Sequence, residues 1–145
     1  MAIKVTWEKG YGRLPRMQWS LEDPALETFT RFGVVHELTA GEDVFEQGRH
    51  SDALYLVLEG EVAILKDGLE IARLGKSISF GEMGLLLGRP RGASARAIVD
   101  SRILELCQGD IDQMLEQEPR WAAWLYRVLA ECLAEYLALA AEEGA

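Results

Sequence analysis

Residues 80–94 read Phe-Gly-Glu-Met-Gly-Leu-Leu-Leu-Gly-Arg-Pro-Arg-Gly-Ala-Ser and are the most informative stretch of the chain. Glycines, one carboxylate and arginines surround a short apolar run. Glycine lets a backbone approach a ligand closely, and the first turn of a helix presents unpaired N–H groups to a phosphate. An arginine can bind two phosphate oxygens at once, and a carboxylate accepts hydrogen bonds from ribose hydroxyls. The pattern indicates a site for a compact anion attached to a sugar.

Short strand-like segments flank this stretch. A helix is predicted before Gly33, with Ser20 or Asp23 as its cap. Glycine-marked turns then separate the apolar segments, a spacing typical of a β-sandwich or barrel. The sequence predicts a β-barrel over about residues 34–107, with strands at 34–38, 43–45, 54–58, 62–66, 69–74, 95–99 and 102–106.

The tail changes to helical periodicity, with helices predicted over about residues 110–143. From about Arg120 onward, apolar residues cover more than one face of the helix. Such a helix must bury two sides. One side can lie on the barrel, and the other is left for a partner or a ligand, which favours a homodimer formed through this helix.

Composition excludes several classes of protein. The 145 residues suit one domain, and 49% hydrophobic with 27% charged residues is the profile of a soluble globular protein. No apolar run approaches the roughly 20 residues that cross a membrane, and no secretory signal is apparent. The isolated Cys107 and Cys132 fit a reducing cytoplasm. We therefore expect a cytoplasmic protein.

Charge argues against DNA as a partner, because the net charge is −9 and phosphate-backbone binding needs clustered cations. The first 19 residues form a basic arm that carries Lys4, Lys9, Arg13 and Arg16. Either this arm grips an acidic partner or it folds back onto the acidic body.

The glycine-marked segments at 41–48, 52–57 and 60–62, joined to residues 80–94, resemble the cyclic nucleotide-binding domain family. That family includes catabolite activator protein and the regulatory subunits of protein kinase A. The resemblance covers about residues 26–139. It implies a mainly β fold with flanking helices: a double-stranded β-helix (jelly-roll) barrel with an N-terminal helix and a long C-terminal helix. Residues 20–145 would form this single domain, after the arm at 1–19.

The resemblance assigns roles to individual residues. Glu82 matches the glutamate that accepts from the ribose 2′-hydroxyl, and Arg91 matches the arginine that pairs with an exocyclic phosphate oxygen. Two other interpretations remain open: in one, Glu82 only caps the short helix; in the other, Arg91 is a surface residue paired with Glu82 or Asp52. The expected ligand-binding set is Phe80, Gly81, Glu82, Met83, Gly84, Arg91, Gly92, Ala93 and Tyr136.

Three positions refine this expectation. Gly92 lacks the hydroxyl that in relatives favours a guanine ring, so cAMP is expected over cGMP. Tyr136 either stacks on the base or belongs to the helix seam. The family usually has a glycine shortly before Phe-Gly-Glu, whereas residues 76–79 here are Lys-Ser-Ile-Ser.

The expected function is a stand-alone cyclic nucleotide sensor that repositions its C-terminal helix and signals to an unknown protein partner. The chain ends soon after the long helix, so no DNA-binding helix-turn-helix is expected. The alternative is a nucleotide-independent module that dimerises on the same fold. An enzyme is not expected, because His36 and His50 lack metal-ligand spacing and no nucleophile–base arrangement occurs.

Overall fold

The computed structural model describes residues 3–7 and 15–144, and the side chains of residues 17–142. The strands are β1 (Ile3–Trp7), β2 (Pro15–Trp19), β3 (Val34–Leu38), β4 (Asp43–Phe45), β5 (Ala53–Glu59), β6 (Glu61–Lys66), β7 (Leu69–Gly75), β8 (Ile78–Phe80), β9 (Ser94–Ala97) and β10 (Ser101–Cys107). The helices are α1 (Ala25–Phe32), α2 (Glu82–Leu87), α3 (Gln108–Gln117) and α4 (Pro119–Gly144). The predicted mainly β class with flanking helices and a long C-terminal helix is confirmed.

The strands form two antiparallel sheets. The six-stranded sheet has the order β1-β2-β8-β5-β10-β3, and the four-stranded sheet has the order β4-β9-β6-β7. The two sheets face each other across an apolar core that includes Tyr55, Val57, Phe80 and Ile103 from one side and Val62, Ile64 and Leu74 from the other.

The helices cover the outer face of the six-stranded sheet. Side chains alternate along a strand, so Ala53, Tyr55 and Val57 of β5 face the other sheet, whereas Leu54 and Leu56 face the helices. A second core unites these leucines with buried residues of α1, α3 and α4, including Phe29, Ile111, Met114 and Leu125. The sheet that carries β8 is therefore packed on both faces, which gives the segment after β8 a rigid base.

Helix α1 forms where the sequence indicates. The Asp23 carboxylate accepts a hydrogen bond from the Ala25 N–H at 2.8 Å, which satisfies one of the free donors of the first turn. The helix ends at Gly33, whose N–H donates to the Phe29 carbonyl. A Cβ at Gly33 would overlap the Glu105 carbonyl, so a glycine is required here by close packing against β10.

The sequence analysis did not predict three of the strands, β1, β2 and β8. β1 and β2 lie within the segment treated as a basic arm, and they pair with each other as a hairpin. β2 also pairs with β8, and the Trp19 N–H donates to the Ser77 carbonyl at 2.8 Å. Met17 and Trp19 are buried against α4 residues such as Leu125. The hairpin therefore joins β8 to the long helix.

No helix within the described residues is both long and apolar enough to span a membrane.

Candidate functional site

The site is built on the turn between β8 and α2. Gly81 has φ 87° and stands immediately before α2, and Gly88 ends that helix with φ 61°. This left-handed region is routine only for glycine. The chain then returns through residues 89–93 to β9. These two backbone reversals fold the predicted ligand-binding stretch into a compact loop.

This loop forms one wall of an open cavity of about 370 Å³, a size within the range of small-molecule sites. Eight of the nine predicted site residues line it. The lining consists of Phe45, Ile64, Phe80, Gly81, Glu82, Met83, Gly84, Leu87, Arg89, Pro90, Arg91, Gly92 and Ala93. The structure thus brings the sequence-predicted residues together, with the exception of Tyr136.

The Arg91 guanidinium turns inward beneath the loop. Its Nη1 donates to the Gly81 carbonyl at 2.9 Å, and its Nη2 donates to the Ala53 carbonyl at 2.6 Å and to the Ser51 hydroxyl at 2.9 Å. The guanidinium carbon also lies 4.2 Å from the centre of the Phe45 ring. These contacts fix the position and orientation of the cation.

Arg91 is a buried cation without a direct ion-pair partner, although the negative charges of Glu82 and Asp52 lie near enough to favour its charged form. The residue is only 6% exposed, and it forms no ion pair with any carboxylate in the described part of the chain. Its Nε is buried without a hydrogen-bond partner. Burial lowers the pKa of Arg91, although arginine stays protonated at neutral pH. A buried charge without a partner is costly, so the site is suited to an incoming anion.

Of the two alternative interpretations, the geometry contradicts the one for Arg91 and is compatible with the one for Glu82. Arg91 is not a surface residue, and its hydrogen bonds go to two carbonyls and a hydroxyl rather than to Glu82 or Asp52. Glu82 is the first residue of α2 and the acidic residue of its first turn, so its carboxylate also lies at the positive end of this short helix.

Glu82 is half-buried and lines the cavity together with Arg91. The negative charge of Glu82 is close enough to oppose the lowering of the Arg91 pKa. Among the described residues, none donates a hydrogen bond to the Glu82 carboxylate. Its oxygens are therefore available to accept from a ligand hydroxyl.

Sequence reasoning missed three residues that hold Arg91. Phe45 stacks on the guanidinium, and Ser51 and Ala53 accept its hydrogen bonds. Ser51 and Ala53 lie about 40 residues before Arg91 in the chain, and a backbone carbonyl carries no sequence signal at all. Phe45 is an ordinary apolar strand residue by pattern. Only the packing of the two sheets brings these groups together.

Tyr136 does not reach the cavity. It lies on the outer half of α4 with 44% of its surface exposed and is absent from the cavity lining.

Within the described residues, no group of three or more histidine, cysteine, aspartate or glutamate side chains is arranged to hold a metal ion.

Comparison with known proteins agrees with this geometry. A family model for the cyclic nucleotide-binding domain matches residues 35–118. The cyclic AMP receptor protein of Thermus thermophilus is 37% identical over 100 residues, which are 66% of this chain and 46% of that protein. The chain therefore spans less than half the length of this curated relative.

Solved structures give the same result. The catabolite activator protein of Thermus thermophilus superposes with a TM-score of 0.71 at 32% identity, covering 86% of this chain and 59% of that one. A structure connected with a cyclic-GMP-dependent signalling pathway in bacterial phytopathogenesis has a TM-score of 0.68 at 32% identity, covering 81% and 96%. The predicted jelly-roll class is confirmed. Members of this family are generally regulatory rather than enzymatic. The chain belongs to the cyclic nucleotide-binding domain family.

Proposed function

We propose that the protein is a sensor that binds cAMP in the cavity between Glu82 and Arg91. The observation that carries this proposal is the buried Arg91 guanidinium, which belongs to the cavity lining, forms no ion pair with a carboxylate of the described residues and leaves its Nε without a hydrogen-bond partner. A cyclic phosphate supplies the missing negative charge, and its ribose 2′-hydroxyl donates to Glu82. No step of this binding requires a metal ion or a covalent reaction, so the proposed role is regulatory and not enzymatic.

The preference for cAMP over cGMP rests on Gly92, which lines the cavity and offers no hydroxyl to a guanine ring. The name of the Thermus thermophilus relative points to cAMP, whereas one structural relative belongs to a cyclic-GMP-dependent pathway. A Gly92→Ser variant tests the choice. We expect the ratio of cGMP to cAMP affinity to rise, and an unchanged ratio would remove Gly92 as the discriminating position.

Isothermal titration calorimetry tests the binding itself. We expect cAMP to bind with a dissociation constant in the micromolar range, about −8 kcal/mol, and 5′-AMP to bind much more weakly. An Arg91→Gln variant should lose about 2–5 kcal/mol, the cost of breaking a buried charged contact. Arg96→Gln is a matched control, because Arg96 lies on the same strand-and-loop segment but is paired on the surface with Asp43 at 2.8 Å. The absence of heat with cAMP and cGMP at tens of micromolar would refute the proposal.

The output of the sensor is proposed to be α4. Its first half is buried in the helix-side core, whereas its second half exposes Tyr136 and Leu137, the latter by 66%. Ligand binding would reposition the exposed half if one arrangement of α4 binds the nucleotide better than the other. Tyr136 would then come to cover the base.

We propose that the protein is a stand-alone cytoplasmic sensor, with no other functional domain in the same chain. It would form a homodimer through the outer half of α4 and signal to a protein partner. The net charge of −9 supports a protein target over DNA. The exposed Leu137 also suits the alternative function, a dimerising module that needs no nucleotide. Light scattering of the wild type and of Leu137→Glu, each with and without cAMP, distinguishes the sensor from the module. Leu137→Glu should weaken a dimer formed through the outer half of α4. If the wild type is a dimer and does not bind cAMP, the module is favoured.

A further inference from the structure

A continuous chain of hydrogen bonds leads away from Arg91 across the six-stranded sheet. Arg91 Nη2 lies 2.9 Å from Ser51 Oγ, which lies 3.1 Å from the Tyr55 hydroxyl. That hydroxyl lies 3.0 Å from Glu105 Oε1, and Glu105 Oε2 lies 3.2 Å from His36 Nε2. The chain connects the candidate phosphate site to a partly exposed carboxylate on β10.

The direction of every hydrogen bond from Arg91 to Glu105 is determined by the chemistry. A guanidinium can only donate and a carboxylate can only accept. Tyr55 has a single hydroxyl hydrogen and gives it to Glu105, so the Tyr55 oxygen must accept from Ser51. Ser51 in turn accepts from Arg91. All three donors point from the cation towards the anion, an arrangement in which neighbouring hydrogen bonds strengthen one another.

This chain engages only one side of the guanidinium. Nη2 gives its two hydrogens to Ser51 and to the Ala53 carbonyl, whereas Nε has no partner. Nη1 gives one hydrogen to the Gly81 carbonyl, so its second hydrogen and the Nε–H are left without a partner among the described residues. The chain therefore does not compete with an incoming anion for the same donors.

We propose that Tyr55 and Glu105 are positioning residues for Arg91: acting through Ser51, they anchor Nη2 and thereby present the rest of the guanidinium to the ligand phosphate. Neither residue lines the cavity. The inference rests on the proposed nucleotide binding for its functional consequence, but the anchoring of Arg91 can be measured without any nucleotide.

Tyr55→Phe is the most direct variant. It removes the hydroxyl and keeps the ring that packs 5.5 Å from Phe80 and 5.6 Å from Phe45 between centroids. Ser51→Ala interrupts the same chain of hydrogen bonds between Tyr55 and Arg91. It provides a second test of the inference if Tyr55→Phe fails to fold. Tyr126→Phe is a matched control, because its hydroxyl also has a hydrogen-bond partner, Gln108 at 3.1 Å, but at a site remote from Arg91.

The first measurement is the ¹H–¹⁵N signal of the Arg91 Nε–H in ligand-free protein, assigned by its disappearance in Arg91→Lys. We expect this hydrogen to exchange slowly with solvent in the wild type and in Tyr126→Phe, and faster in Tyr55→Phe and Ser51→Ala. If both chain variants give the wild-type signal and exchange rate, the inference is overturned.

The second measurement is cAMP affinity. Tyr55→Phe removes both hydrogen bonds of the Tyr55 hydroxyl, those with Ser51 and Glu105. We expect about a fivefold weaker affinity for cAMP, which corresponds to about 1 kcal/mol of this loss reaching the Arg91 contact. The affinity ratio of the two phosphorothioate diastereomers of cAMP should also change, since a displaced Arg91 meets the two exocyclic positions differently. A uniform loss with an unchanged ratio would show a merely structural role and overturn the inference. If no variant binds nucleotide but the Arg91 signal still responds to Tyr55→Phe, the proposed function fails and the anchoring stands.

Discussion

The guanidinium of Arg91 stacks on the ring of Phe45, with 4.2 Å between the guanidinium carbon and the ring centre. Phe45 belongs to β4 of the four-stranded sheet, whereas the carbonyl of Ala53, at 2.6 Å, belongs to β5 of the other sheet. Arg91 therefore contacts both layers of the barrel. The cation–π contact offsets part of the cost of taking the charge out of water. Because two rigid sheets hold it, the cation is oriented before any ligand arrives.

Gly84→Ala should disrupt this arrangement. A Cβ at Gly84 would overlap the Arg91 guanidinium and the Ser51 carbonyl, so we expect a loss of about 1–3 kcal/mol in the free energy of unfolding together with weaker cAMP binding. Helix propensity alone would predict a gain from this substitution. Gly75→Ala is the control, since a Cβ there meets nothing within 4 Å. Urea unfolding of both variants measures the difference, and equal stabilities would contradict the described packing.

Glu82→Gln should separate binding from stability. The Glu82 carboxylate is half-buried and has neither a hydrogen bond nor a direct ion pair with the described residues, so only its attraction to Arg91 is lost and we expect the free energy of unfolding to fall by less than about 1 kcal/mol. Affinity for cAMP should fall by about 1.5–3 kcal/mol, the value of a hydrogen bond to a charged group. 2′-Deoxy-cAMP should bind equally to wild type and variant. If Glu82→Gln also weakens the binding of 2′-deoxy-cAMP, the ribose 2′-hydroxyl does not contact Glu82.

Ser77→Gly should stabilise the protein. Ser77 has φ 79°, in the region that glycine adopts without strain. Relief of this conformation, about 1–2 kcal/mol, exceeds the entropy cost of a glycine, so a net gain of about 0.5–1 kcal/mol is expected. Lys76→Gly, at a neighbouring residue without positive φ, should destabilise instead. Thermal unfolding compares the two, and a loss of stability in both variants would refute the argument.

Tyr55 should make stability sensitive to alkaline pH. Burial, and then the neighbouring Glu105, raise the pKa of Tyr55 above 10.0, while Ser51 opposes this shift. The folded protein therefore holds the phenolic proton more tightly than the unfolded chain. This contribution is complete below about pH 10 and is lost as the pH rises through the folded value. The unfolding free energy of the wild type should fall more steeply above about pH 10 than that of Tyr55→Phe; parallel curves would exclude Tyr55 as the cause.

The regular strands of the barrel could be predicted because their side-chain pattern is local. The predicted segments 34–38 and 43–45 coincide with β3 and β4. β8 was missed because residues 76–79 and Phe80 were assigned to the ligand-binding stretch and the turn before it, and these residues become a strand only by pairing with β2 and β5. β2 was missed because its sequence contains a proline and a charge, and it becomes a strand only by pairing with β8 and packing against α4.

In the candidate site, too, some features could be predicted from the sequence and others could not. The lining residues after β8 could be predicted, since a contiguous motif carries them. The inward pose of Arg91 could not, because its acceptors are a distant serine and two backbone carbonyls, those of Ala53 and Gly81. Which way a long side chain turns depends on the three-dimensional placement of groups that have no signature in the sequence.

The N-terminal hairpin has a consequence for self-association. Without β2, the strand β8 would be the open edge of its sheet, and an unpaired edge is a template for strands of other molecules. That edge leads directly into Gly81 and α2. By pairing with β8, the hairpin leaves no open edge there, so a second chain cannot add a strand directly beside the segment that leads into the candidate site.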